Sequence, residues 1–116
     1  MLKNFNAFQL AKAFYKKCKL LKCPKYLSDQ LLRASSSVAL NLAEGSGKRT
    51  PADQKRFYSI ALGSLRECEA ILELEELGDD DLRKLVDRLG AILFTLSKKP
   101  LNRTVTETET ETATDL

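Results

Sequence analysis

Asn41-Leu42-Ala43-Glu44-Gly45-Ser46-Gly47-Lys48-Arg49-Thr50-Pro51 decides the fold. The stretch closes one segment of helical apolar periodicity, turns through glycines and cations, and opens another. Gly45 is the expected left-handed stop after Glu44. Thr50 then caps, Pro51 takes the first helical position, and Asp53 approximates the acid of a capping box. Helices joined by so short a turn pack as neighbours. Asn41 and Glu44 are polar residues on a helix that otherwise reads as core. A buried carboxylate costs free energy unless it is paired, so a partner for Glu44 is expected inside the fold or across an interface.

Upstream of the turn, Leu31, Leu32, Ser35, Val38, Ala39 and Leu42 form the inner stripe of a helix. Ser28 is its expected N-cap, with Asp29 favourable in the first turn. The centre of this helix, Ala34-Ser35-Ser36-Ser37, is small enough to let a neighbouring helix come close. Earlier still, Phe5, Phe8, Ala11, Tyr15 and Cys18 recur at three or four residues, which predicts an amphipathic helix broken at Cys23-Pro24. Downstream, Phe57, Ile60, Ala61, Ser64, Leu65, Cys68, Ile71 and Leu72 predict a third helix running to about Leu77, with Gly78 as its stop. Asp79, Asp80 and Asp81 favour a fourth N-terminus. From there Leu82, Leu85, Val86, Leu89, Ile92, Leu93 and Leu96 run to Lys98, Lys99 and Pro100.

No segment alternates as a strand does. The expected architecture is therefore all-α, an antiparallel up-and-down four-helix bundle over residues 1–100. Residues 101–116 alternate threonine with charge, have almost nothing to bury, and are expected to form a disordered tail.

A chain of 116 residues makes one domain with its own core. No apolar run approaches the roughly 20 residues that span a bilayer, and the start has no signal-peptide pattern, so a cytoplasmic protein without membrane contact is expected. Three cysteines and no histidine argue for reduced, core-filling thiols rather than a disulfide framework or a zinc site. Without histidine the usual general base is missing, and no Ser-His-Asp or Cys-His arrangement can form. The expectation is a non-enzyme with no cofactor and no metal. An enzyme using Glu44 or Glu67 as base is the remaining catalytic alternative. Gly45-Ser46-Gly47-Lys48 invites comparison with a phosphate loop and fails it. Leu42 stands where the first glycine belongs, Arg49 stands where Ser or Thr belongs, and the turn follows a helix.

Charge is segregated along the chain. Residues 1–26 hold seven lysines and no acid, whereas residues 67–82 hold eight acids and no base. The lopsided lysine face points to electrostatic binding of a polyanion, here RNA or DNA, through Lys12, Lys16, Lys19, Lys48 and Arg49. No base-reading motif is present, so binding should be dominated by backbone phosphates and be sensitive to salt. The opposite charges of the first helix and the end of the third can also meet between subunits in a heterologous ring. That second reading is a protein-interaction scaffold whose charges serve assembly alone.

Arg33, Asn41 and Glu44 share one face of their helix at 100° per residue, and Arg56, Ser64 and Glu67 repeat the spacing on the next. A hairpin centred near residues 47 and 48 places Arg33 near the level of Glu67 and Glu44 near Arg56, with an offset of roughly 7 Å. Two readings of these charges stand: cross-helix ion pairs assisted by Asn41 and Ser64, or solvated side chains at the bundle edge.

Leu31-Leu32-Arg33-Ala34, the Val38 to Arg49 segment, and Phe57 with Ile60-Ala61-Leu62-Gly63-Ser64-Leu65-Arg66-Glu67 resemble the 23S ribosomal RNA intervening-sequence protein family. The resemblance covers residues 5 to about 98 in layout, although the fourth helix matches in pattern only. It implies an antiparallel four-helix bundle that assembles as a homopentamer, with no established enzymatic activity. Some members are encoded within insertions in ribosomal RNA genes. Related bundles accompany retroelement reverse transcriptases, which makes such a polymerase a further implied partner. The signature positions carried over are Arg33, Asn41, Glu44, Gly45, Arg49, Phe57, Gly63, Ser64 and Glu67. Arg56 joins them as the candidate partner of Glu44.

Overall fold

The computed structural model describes Leu2 and residues 5–99; the expected tail over residues 101–116 lies outside the described residues. The described residues form four helices: α1 (Asn6–Lys19), α2 (Lys25–Ser46), α3 (Pro51–Leu74) and α4 (Asp80–Lys98). Each helix packs on its neighbours in sequence, and α1 closes the bundle against α4. Phe14, Leu31, Leu42, Leu65, Leu89 and Leu93 are fully buried at its centre. Most residues of the apolar stripes predicted from helical periodicity face that centre, but Ile60 of the α3 stripe is exposed, and on α1 the buried face is Ala7, Ala11, Phe14 and Cys18, with Phe8 and Tyr15 only half-buried. No strand occurs among the described residues.

The ends of the helices show how local chemistry sets the bundle. At α3, Thr50 Oγ1 accepts from the backbone N–H of Asp53 at 3.2 Å, with Pro51 at the first position. At α4, Asp79 Oδ1 accepts from the N–H of Leu82 at 2.9 Å. Both caps follow the sequence expectation. The start of α2 does not. The helix begins at Lys25 directly after Pro24, without a side-chain cap, and the N–H groups of Leu27 and Ser28 already donate to the Pro24 carbonyl. Pro24 itself is the extended N-cap, with φ −54° and ψ 143°, and its carbonyl accepts the first bonds, so the helix starts one turn early and Ser28 falls inside it.

The stops differ too. Gly45 does not end α2. The helix runs through it to Ser46, and Gly47 at the C-cap keeps a right-handed φ of −89°. α3 ends at Leu74, three residues before the expected Leu77. Leu77 N–H donates to Leu72 O (2.9 Å) and Glu76 N–H to Glu73 O (3.3 Å). This is the Schellman pattern, whose left-handed position usually holds glycine. Here Glu76 occupies it with φ 51°, and Gly78 follows with φ 98°.

The small centre of α2 is where its neighbours approach. Ser35 is fully buried and meets the Cys18 thiol of α1. Burial pushes the Cys18 thiol up to about 12, and the Cys68 thiol moves in the same direction for the same reason. Both therefore behave as small core side chains.

Candidate nucleic-acid interface

On α1 the positions facing the core are Ala7, Ala11, Phe14 and Cys18. Lys12, Lys16 and Lys19 recur at four and three residues on the opposite side, and all three are exposed. The helix carries no acid, and none of these lysines enters an ion pair among the described residues. Lys19 Nζ lies 5.4 Å from the centre of the Tyr15 ring. The result is a continuous cationic stripe along one outer face.

The turn between α2 and α3 is held from below. Gln54, buried beneath it, donates from Nε2 to the Lys48 carbonyl at 3.1 Å. Lys48 Nζ pairs with Glu44 at 3.2 Å and also sits 5.0 Å from the centre of the Phe57 ring. Arg56 shares that ring, also at 5.0 Å. Arg49 is exposed and has no ion-pair partner among the described residues. The five predicted phosphate-binding residues therefore do not form one patch. Lys19 lies near the start of α2 and Lys48 beyond its end, and 22 helical residues separate those ends by about 33 Å.

The predicted cross-helix ion pairs are not formed. Glu44 turns to Lys48, just past the end of α2, with its side chain 56% exposed, so the buried carboxylate expected from sequence does not exist. Arg33 and Glu67 are exposed and unpaired among the described residues. Instead, short side chains close the seam between α2 and α3. The Ser37 and Ser64 hydroxyls share a hydrogen bond at 2.8 Å, and Asn41 Nδ2 donates to the Ser37 carbonyl (2.9 Å) and hydroxyl (3.0 Å). Asn41 and Ser64 thus do supply hydrogen bonds, through Ser37, which the sequence reading did not single out.

Gly45 explains how the helices come so close. A Cβ there would stand 2.7 Å from Tyr58 Cε1 and 3.2 Å from Phe57 Cβ. Gly45 opposite Tyr58 and Ser37 opposite Ser64 also show that this pair of helices runs in opposite directions, with Arg33 and Glu67 level. This register removes the axial offset expected from sequence. What keeps the charges apart is sideways: they flank the seam and point into water.

Gly63 is the reverse case. It is exposed in mid-helix, and a Cβ on it would meet nothing within 4 Å. Leu40 and Ile60 remain exposed on the same outer side of the seam. No packing among the described residues accounts for glycine there.

A small four-helix bundle with a basic stripe along one helix is the class these features define. A family model, that of the 23S rRNA-intervening sequence protein, matches residues 5–92, and the chain belongs to this family. The match extends from α1 well into α4, where the sequence carried the resemblance in pattern only. No curated protein and no solved structure matches the chain. Among the described residues, no helix is long and apolar enough to cross a membrane, and no cluster of His, Cys, Asp or Glu is arranged to hold a metal ion.

Proposed function

We propose that the chain is a non-enzymatic, self-associating bundle that binds RNA or DNA through backbone phosphates without sequence preference. The exposed, unpaired stripe of Lys12, Lys16 and Lys19 carries this reading. Arg49 adds a second cationic point at the far end of α2. Electrophoretic mobility shift with mixed-sequence RNA and DNA across a salt series tests it. Affinity should fall steeply with salt, and Lys12→Ala and Lys19→Ala should each lower the log–log slope by about 1. Absence of binding at low salt removes the reading.

A protein-interaction scaffold is the second reading, and Gly63 favours it. An exposed helical glycine beside Leu40 and Ile60 suits close approach by another helix. Light scattering reports the subunit number, for which the resemblance implies five. Assemblies that dissociate in salt and ignore nucleic acid would select this reading over the first.

A further inference from the structure

The α3–α4 end carries a groove of about 380 Å³. Leu72, Leu77, Leu82 and Val86 form its apolar floor. Glu73 from α3, Glu76 from the turn after it and Asp87 from α4 stand on its rim, exposed and without an ion-pair partner among the described residues. Two other rim residues are already paired, Glu69 with Arg66 at 2.6 Å and Arg83 with Asp80 at 3.5 Å. Glu76 holds the left-handed position that glycine usually fills, which places a carboxylate at the rim at the expense of backbone strain.

The complementary shape lies on the same chain. Leu20, at the C-cap of α1, is 83% exposed, the most exposed large apolar residue described. Lys16 and Lys17 stand four and three residues before it on the same side of the helix, and Lys22 follows in the link to α2. All three lysines are exposed. An uncovered leucine ringed by cations matches an apolar floor ringed by carboxylates in both polarity and charge.

Both features lie at one end of the bundle. The link of residues 20–24 joins the end of α1 to the start of α2, and the register of the α2–α3 seam sets the start of α2 level with the end of α3. Knob and groove at similar height on different sides suit a head-to-tail contact around an axis, the arrangement that closes into a ring.

We propose that this groove is a docking site for a second copy of the chain, whose Leu20 enters it while Lys16, Lys17 and Lys22 meet Glu73, Glu76 and Asp87. The proposal rests on the reading that the chain self-associates, and it names the contact. The docked state takes Lys16 out of the basic stripe and leaves Lys12, Lys19 and Arg49 for phosphate. One leucine and a few screened ion pairs make a salt-sensitive contact.

The test is complementation followed by analytical ultracentrifugation of the full chain. A groove variant (Glu73→Lys, Glu76→Lys, Asp87→Lys) and a knob variant (Lys16→Glu, Lys17→Glu, Leu20→Ser) each alter exposed side chains, and circular dichroism verifies their helicity. Each variant alone should lose association by roughly tenfold or more. Mixed one to one, they should form a heterodimer, because one copy keeps an intact knob and the other an intact groove. Variants that assemble as the wild type does, or a mixture that stays monomeric while the wild type associates, overturn the docking site and leave self-association standing. A wild type that is monomeric at every concentration and salt overturns both.

Discussion

The α2–α3 seam and the α3–α4 end are both contacts between sequential helices, yet one is sealed and the other open. Gly45, Ser37 and Ser64 let α2 and α3 meet closely, through a hydroxyl pair at 2.8 Å and a glycine without room for a methyl group. At the other end, α3 stops early through Glu76 and Gly78, and a groove remains over Leu72 and Val86. The difference lies in side-chain length. Short residues close a seam. Long acidic residues around an early stop hold the surface open.

The sealed interior should respond most strongly to alkali. Cys18 is held neutral by burial, its titration moved from 9.0 up to about 12, and Cys68 is shifted in the same direction. The unfolded thiols ionise first, so this contribution is intact below pH 9 and is lost as pH rises toward 12. Unfolding free energy should fall steadily with pH within that window. Urea titrations at stepped pH measure the loss, and a Cys18→Ala, Cys68→Ala variant should show a flatter decline. Native thiol labelling should reach Cys23 before either buried cysteine.

The two glycines of the seam region should respond in opposite directions. Gly45→Ala forces a methyl group against the Tyr58 ring, and overpacking of this kind costs about 1–3 kcal/mol. Gly63→Ala adds a methyl group in open space on a helix, where alanine is worth about 1 kcal/mol over glycine. Urea denaturation at low protein concentration should show Gly45→Ala lowering stability and Gly63→Ala raising it. If Gly63→Ala also weakens assembly in light scattering, close approach by another subunit explains the glycine. Equal and small effects of the two changes would mean that the seam is not sealed as described.

Glu76→Gly probes the open end in the same manner. Glycine relieves a left-handed non-glycine residue, a conformation that costs about 1–2 kcal/mol. Helix-end stability should rise in thermal melts while one rim carboxylate disappears. A gain in stability accompanied by weaker association would separate what the strained glutamate does for the fold from what it does for the groove.

How much of this was legible depended on the range of each interaction. Helical periodicity located all four helices, and the caps at Thr50 and Asp79 were readable because a cap is settled within four residues. Pro24 as the true start of α2 was missed because Ser28 offered a stronger local capping signal than a proline that needs none. Gly45 was recognised as special but for the wrong reason. Its role is set by Tyr58, a residue on another helix, and a turn signal in sequence looks the same as a demand for close approach. Ser37 and Gln54 escaped notice because their importance comes from Ser64 and the Lys48 carbonyl, which only the packed hairpin brings to them. The basic stripe of α1 was visible as spacing, but the helix length that separates it from Arg49 became clear only once α2 was placed.

Glu44 gives the smallest effect and the sharpest check on the seam. Of the two readings that the sequence leaves open, one pairs it with Arg56 across the helices and the other leaves it solvated at the bundle edge; in the structure it is half-exposed and pairs with Lys48, just past the end of α2. An exposed pair four residues apart contributes about 0.3–0.5 kcal/mol and is screened by salt. Glu44→Gln should therefore cost no more than that, and a double-mutant cycle with Lys48→Gln should give a coupling of the same small size. The cycle of Glu44→Gln with Arg56→Gln should give none, because Arg56 lies on the Phe57 ring instead. A coupling to Arg56 well above that of the exposed pair would mean that charges bridge the seam, and Ser37, Asn41 and Ser64 would no longer suffice to explain how it closes.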